Sequence, residues 1–301
     1  MNILLTGSTG LIGSELGSHL SENRHHVMRL VRRAQPGANE ISWDPASGTL
    51  DVRALEGLDA VVHLAGESIA SGRWTAGKKR RIRDSRIQGT QLLARSLSSL
   101  FDPPRVFVSV SAIGYYGDRG EEQLAEESEA GRGFLPELCR DWEGATHAAL
   151  IRGIRVVILR LGMVLSAKGG ALSKMLPIFR SGIGARMGNG RQYVSWIAID
   201  DLIGVIDHAI FNESLHGLVN AVSPNAVTNL EFSQALGRVL SRPVRFALPS
   251  SALRLLFGKM ANEVLLSSAR VFPARLAQSG FKFQFPELES ALRHILQRPT
   301  A

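Results

Sequence analysis

The sequence predicts an α/β protein: a doubly wound parallel sheet with a smaller, mostly helical C-terminal lobe. Three observations carry this. An apolar strand at residues 3–6 runs straight into Gly7-Ser8-Thr9-Gly10-Leu11-Ile12-Gly13 and a helical pattern through Leu20. Short β-rich runs then alternate with helical stretches, the order that gives parallel strands covered by helices on both faces. After residue 165 the alternation gives way to glycine-rich loops and mainly helical segments.

The elements follow in chain order. Strands are expected at residues 3–6, 27–31, 41–43, 60–64, 105–109 and 156–161, with helices near 14–20, 79–100 and 135–152. Right-handed crossovers then place ligands at the carboxyl ends of the strands. A short helix is expected at 172–180, between the glycine-rich loops 167–170 and 182–191, and a strand and helix at 196–210 return to the main domain. Thr228-Asn229-Leu230-Glu231 is a capping-box signature before a helix at 232–240. Further helices are expected at 251–257, around 261–270 and at 287–297. The expected division is a dinucleotide-binding domain at 1–165, rejoined by 196–225, and a substrate and C-terminal lobe from 166–195 and 226–301.

The first turn carries chemistry. In GxxGxxG, Gly7 lets the chain turn tightly, Gly10 lets backbone approach a pyrophosphate, and Gly13 lets helix pack closely on sheet. The phosphates are expected at the helix N-terminus, where free N–H groups from the Thr9, Gly10, Leu11, Ile12 stretch and the helix dipole favour anions. The second strand ends in Arg29-Leu30-Val31-Arg32-Arg33, with no carboxylate to hold an adenine ribose. Arg32 lies about twenty residues past the glycines, and its fork of donors suits a 2′-phosphate. NADP(H) is therefore the expected cofactor, with Arg32 the first choice of phosphate ligand and Arg33 the second. The fourth strand ends in His63-Leu64-Ala65-Gly66-Glu67, whose small residues let the chain pass close to the adenosine and pyrophosphate. His63, inside an apolar strand, reads as a satisfied core histidine rather than a base. Ser109, Ser111 and Arg160 complete the expected cofactor-binding set.

Composition narrows the class. With 301 residues, 45% hydrophobic and 21% charged, the chain suits a soluble protein with a substantial core. No apolar run has the length of a membrane span, and Ile3-Leu4-Leu5 is too short for a secretory signal. One cysteine, Cys139, excludes an internal disulfide framework. A cytoplasmic location is expected. The net charge of +8 is carried mostly by arginine and is densest from Arg73 to Arg86. No nucleic-acid module accompanies that run, so a solvated helix face is expected, and no nucleic acid, membrane or metal is expected as partner.

The glycine turn, His63-Leu64-Ala65-Gly66, Tyr116-Gly117 and Ile199-Asp200-Asp201 resemble the extended short-chain dehydrogenase/reductase superfamily. The sequence is most similar to an atypical branch labelled "epimerase family protein". The features are Gly66-Glu67-Ser68-Ile69, Gly72-Arg73-Trp74-Thr75, Ser85-Arg86-Ile87-Gln88-Gly89-Thr90, Ser111 to Gly117, Cys139 to Glu143 and Ser195-Trp196-Ile197. The region from Leu265 to Leu292 resembles that branch's C-terminal domain of unknown function. The resemblance implies a small-molecule substrate and, from the extended relatives, a homodimer.

The wider superfamily uses a Tyr, a Lys four residues later and a Ser or Thr. A free phenol titrates near 10, so neighbouring cations must lower it before it exchanges protons near neutrality. The chain has three tyrosines, and Arg119, Gly120 and Ile197 follow Tyr115, Tyr116 and Tyr193 at that spacing. The resemblance aligns Leu135, Cys139 and Ala112 with the customary Tyr, Lys and Ser/Thr positions. Tyr115, Tyr116 and Ser111 are the remaining catalytic candidates, and Glu67, Arg73, Trp74, Arg86 and Tyr116 the expected substrate pocket. Two functions follow: an NADP(H)-dependent oxidoreductase or epimerase-like protein on a small anionic or sugar-like substrate, or a non-catalytic NADP(H)-bound sensor or scaffold that engages a partner protein.

Overall fold

The computed structural model describes residues 1–33, 35–70 and 72–297. β1 (Asn2–Thr6) leads into α1 (Leu11–Glu22), β2 (His26–Val31), β3 (Glu40–Asp44) and β4 (Thr49–Leu50). There follow β5 (Ala60–His63), α2 (Ala76–Ser98), β6 (Val106–Ala112), β7 (Gln123–Leu124), α3 (Phe134–Gly144), α4 (His147–Ile151) and β8 (Arg155–Leu161). Next come β9 (Met163–Leu165), α5 (Gly170–Arg180), β10 (Ala185–Met187), β11 (Tyr193–Val194), β12 (Trp196–Ala198), α6 (Ile199–Phe211) and β13 (Gly217–Ala221). The C-terminal part holds β14 (Val227–Thr228), α7 (Asn229–Val239), β15 (Phe246–Leu248), α8 (Ser250–Phe257), β16 (Arg270–Val271), α9 (Ala274–Gln278) and α10 (Leu288–Gln297).

The main sheet has eight strands in the order β13-β8-β6-β5-β1-β2-β3-β4, parallel except for the β3–β4 pair. Strand order reverses at β1, so a crevice opens beyond the carboxyl ends of β1 and β5, where such sheets hold ligands. Alternate side chains fill opposite faces. Leu5, Val62 and Val108 pack under α1 and α6 with Leu16, Leu20, Leu202 and Ile206. Leu4, Val61 and Phe107 pack under α2 and α4 with Leu93, Leu97 and Ala149. Leu172, Phe179, Trp196, Phe232, Leu236, Leu292 and Ile295 form the core of the second, largely helical region. The expected capping box is present: Thr228 Oγ1 accepts from Glu231 N at 3.2 Å, and Glu231 accepts from Thr228 N at 2.7 Å. Among the described residues no helix is long and apolar enough to cross a membrane.

Two expected helices and one strand show where the structure departs from expectation most. The helix expected at 135–152 breaks into α3 and α4, because the Thr146 hydroxyl turns back to Glu143 O at 2.8 Å and ends α3. The helix expected around 261–270 is only a π turn, Ala261–Leu265. Ser268 is drawn away by Asp118, which accepts from Ser268 N at 3.0 Å, and by Tyr193 N, which donates to Ser268 Oγ at 2.9 Å. The chain then enters β16 beside β7. β13 escaped the sequence reading because five residues, one of them Gly217, give little periodicity; it completes the sheet beside β8.

The C-terminal region reaches the crevice through one carboxylate. Glu263 Oε2 accepts from Leu135 N at 2.9 Å and so satisfies a donor in the first turn of α3, which has no side-chain cap of its own. Phe257 and Met260 pack beside it against Trp74, Leu135 and Leu138. Glu263→Ala is expected to lower stability by roughly 1–2 kcal/mol in urea unfolding, the cost of a lost helix cap; an unchanged midpoint would show that α3 does not depend on it.

Candidate cofactor cleft and active site

A buried chain of hydrogen bonds ties the carboxyl ends of β1 and β5 to α2 and α3. Thr6 Oγ1, at the end of β1, accepts from Leu64 N and Ala65 N at 3.1 Å each. Its own hydrogen therefore points to His63 Nδ1, 2.8 Å away, which fixes the Nε2–H tautomer. Nε2–H donates to Thr90 Oγ1 at 3.1 Å, and Trp142 Nε1 donates to the same oxygen at 3.0 Å. His63 is thus an interior linker between β1, β5, α2 and α3. Both ring nitrogens are engaged and the ring is fully buried. Burial pulls its pKa down to about 4.

This linkage brings Leu64 and Ala65 against the first glycine. Gly7 has φ +67°, and a Cβ there would lie 2.9 Å from the Leu64 carbonyl. A Cβ at Gly13 would lie 2.2 Å from Gly7 O. Both positions exclude a side chain, and backbone is left at the surface of the crevice. α1 begins at Gly10 with no side-chain cap and no acidic residue in its first turn, so its leading N–H groups and positive dipole end are available to an anion. At the end of β2, Arg32 is exposed and forms no ion pair among the described residues, whereas Arg33 is paired with Glu40. Arg32 is the freer of the two expected phosphate ligands.

Beyond β6 lies a second buried network. Arg160 grips Glu143 side-on, Nε to Oε1 and Nη2 to Oε2 at 2.9 Å each, and Ser111 Oγ donates to Oε1 at 2.8 Å. Arg160 Nη1 donates to the Tyr116 hydroxyl at 3.0 Å, which in turn donates to Asn220 Oδ1 at 2.7 Å. Burial opposes the charge of Arg160, but Glu143 outweighs it and the net shift is upward. Burial pushes the Tyr116 phenol up to about 12. Ser111, Tyr116 and Arg160 therefore form the floor of the site, with their polar atoms spent on protein groups. Ser109 is likewise buried in β6. Tyr115 differs: its ring lies on the Arg160 guanidinium, 3.5 Å from Cζ to the centroid, and its hydroxyl bonds no described group.

On the expected substrate side, Glu67 turns to Lys78 Nζ at 2.6 Å, and this hydrogen bond holds its carboxyl below the usual range. Trp74 is buried, donating from Nε1 to Ile69 O at 2.9 Å, and is wall rather than contact surface. Arg73 is exposed beside Gly258. Arg86 lies over the Trp142 ring, 4.9 Å from its centroid. Leu135 and Cys139 are both buried; Leu135 packs on Gly114, and Cys139 Sγ points to Ala112 O at 3.6 Å. Burial, helped by Glu143, pushes the thiol up to about 11, which leaves it a poor nucleophile. No group able to hold a metal ion occurs among the described residues. The sequence reading did not single out Lys78, Asn220 or Glu263; Lys78 had only its place in a basic run, and the other two act from far along the chain.

The chain resembles known proteins over nearly its whole length. Residues 3–221 match the NAD dependent epimerase/dehydratase family and residues 248–295 match a domain of unknown function, DUF1731. An epimerase family protein of Mycobacterium leprae is 42% identical over 99% of this chain and 96% of its own. The human epimerase family protein SDR39U1 is 36% identical over 98% of this chain and 100% of its own. A crystal structure of human SDR39U1 with NADPH superposes with a TM-score of 0.89 at 35% identity, covering 98% of this chain and 99% of that one. A UDP-N-acetylglucosamine 4-epimerase of Bacillus cereus, 17% identical with a TM-score of 0.75 over 98% of each chain, shares the fold. The chain belongs to the NAD-dependent epimerase/dehydratase family, in its SDR39U1-like group carrying the DUF1731 domain.

The buried histidine gives a test. Its native pKa of about 4 lies below the ordinary 6.5, so below that value the unfolded chain takes a proton that the native state refuses. Its contribution to stability is complete above pH 6.5 and is lost as pH falls toward 4, by roughly 2 kcal/mol at pH 5. Urea unfolding at pH 7 and pH 5 should reveal this loss, and His63→Gln should remove that share of the slope; an equal slope in both proteins would contradict the assignment.

Proposed function

We propose, on the premise of that family membership, that the chain is an NADP(H)-binding oxidoreductase or epimerase-like protein. Its substrate is a small anionic or sugar-like molecule, and it works without the usual Ser-Tyr-Lys set. The observation that carries the reading is the cradle at the end of β1: two glycines whose Cβ atoms would strike backbone, an uncapped helix start, and Arg32 at the end of β2. These fit a dinucleotide carrying a 2′-phosphate, with the α1 N–H groups for the pyrophosphate and Arg32 for the extra phosphate. The NADPH present in the human SDR39U1 structure supports the same reading.

When bound, the dinucleotide supplies two-electron oxidation or reduction at its nicotinamide ring. The chain's part is to bind, orient and carry protons. Tyr115 is the proton-bearing group of this proposal, because its hydroxyl has no described partner while that of Tyr116 is held by Arg160 and Asn220. Glu143 and Arg160 fix the Tyr115 ring from beneath. A cytoplasmic location and a homodimer belong to the same proposal; Phe101, Leu150 and Ile151 leave apolar surface exposed around the α2 end and α4. The alternative, a non-catalytic sensor or scaffold, draws on the apolar Leu135 and inert Cys139 beside the cleft.

NADPH and NADH affinities test the cofactor reading. NADPH should bind more tightly, and Arg32→Ser should weaken NADPH by about ten- to a hundred-fold while leaving NADH nearly unchanged, the scale of a charge-assisted phosphate contact. Equal affinities in the unmodified protein would sink it. A screen of aldehydes, ketones and nucleotide sugars, followed by NADPH absorbance, separates the two functions. Turnover abolished by Tyr115→Phe supports the enzyme, and its absence across all three classes supports the sensor.

A further inference from the structure

Among the described cations of the cleft, Arg86 is the one that is fixed, largely shielded from water and without an acid. Its Nη1 donates to Glu67 O at 2.9 Å and to Ile82 O at 3.2 Å. Trp142 lies under the guanidinium plane. On another side stands Gly66, where a Cβ would come within 3.3 Å of Cζ, so the guanidinium occupies the space a side chain would need. The nearest acid in sequence, Glu67, is committed to Lys78. Arg86 forms no ion pair among the described residues, and burial presses against its charge more than the nearby Glu67 carboxylate supports it. A shielded cation in such surroundings costs free energy until a counter-charge arrives.

The free part of the group is specific. With Nη1 taken by two carbonyls, Nε and Nη2 donate to no described group, and these two form the edge that receives a carboxylate side-on. The molecule contains the completed version of that contact: Arg160 uses the same two nitrogens on Glu143. The Trp142 ring lies against the guanidinium, and partial burial strengthens an ion pair formed by this group.

We propose that Arg86 is the anion-binding residue of the cleft, its Nε–Nη2 edge receiving a carboxylate or phosphate of the bound small molecule. The substrate class is then an oxyacid rather than a neutral sugar or simple aldehyde, unless the anion is a phosphate of the dinucleotide itself. This rests on the reading of the cleft as an NADP(H) site, and the experiment separates the two.

Oxalate and inorganic phosphate are titrated into the full chain, with and without saturating NADP, at an ionic strength held constant with chloride. Tryptophan fluorescence and melting temperature are followed, and NADPH affinity is measured in parallel. Oxalate should bind saturably, and Arg86→Gln should weaken either oxalate or NADPH by at least about ten-fold. Arg86→Lys should recover only part, because an ammonium lacks the fork. Arg95→Gln, an exposed change on α2, should alter neither. Lost oxalate affinity at unchanged NADPH affinity assigns the anion to the substrate. Lost NADPH affinity, with oxalate competing against NADPH, assigns it to the dinucleotide. Both support the inference. It is overturned if folded Arg86→Gln changes neither affinity by more than about two-fold, and Arg86→Lys decides in the same way if Arg86→Gln does not fold. Oxalate binding that needs Arg86 in a chain that fails to bind NADPH would refute the cofactor reading and leave this one standing.

Discussion

The Thr6 hydroxyl is the point on which the cleft depends. One oxygen accepts from the two N–H groups that follow β5 and donates to the histidine that ends it, so the carboxyl ends of β1 and β5 are tied at the switch point of the sheet. The chain leaving β1 must then turn against Leu64 with no room for a side chain, which makes Gly7 a consequence of Thr6 rather than an independent feature. Gly13 follows from Gly7, since α1 starts directly on its carbonyl. His63 carries the constraint onward to Thr90 and Trp142, and Trp142 supports Arg86. A neutral histidine is required, because a second ring proton, on Nδ1, would leave the Thr6 hydroxyl without its acceptor.

A second consequence concerns where polar chemistry has gone. The carboxylate and guanidinium of Glu143 and Arg160 lie under the site and absorb Ser111 and Tyr116. A buried pair of this kind is tolerated only when its remaining donors and acceptors are satisfied, and the serine and tyrosine hydroxyls do that work. The Ser111 and Tyr116 hydroxyls are both hydrogen-bonded within this network. Among the described residues the Tyr115 hydroxyl and the Arg86 Nε and Nη2 make no hydrogen bond, and the first N–H groups of α1 have no side-chain cap.

Legibility in the sequence follows the range of each interaction. The first strand, its turn and α1 were readable because strand, glycine spacing and helix are contiguous. The place of Arg32 just past β2 was readable because β2 has a fixed offset from the glycines. The inner and outer faces of Tyr115-Tyr116 were not, because adjacent residues are told apart by Asn220, 104 positions away. The break between α3 and α4 depends on one threonine hydroxyl, and the loss of helix after Leu265 depends on Ser268 being claimed by Asp118 and Tyr193. Glu263 capping α3 from 128 positions away leaves no local trace. Hydrophobic periodicity reports burial, and these polar commitments are made by the tertiary fold.

The most direct test is a crystal structure of the protein with NADPH. The account predicts the pyrophosphate on the first N–H groups of α1 and the 2′-phosphate within hydrogen-bonding distance of Arg32. It also predicts the Tyr115 hydroxyl and Arg86 edge open to the ligand, with Tyr116 still bonded to Asn220. A dinucleotide bound elsewhere, or one whose 2′-phosphate makes no contact with Arg32 while Tyr116 swings into the cleft, would contradict it.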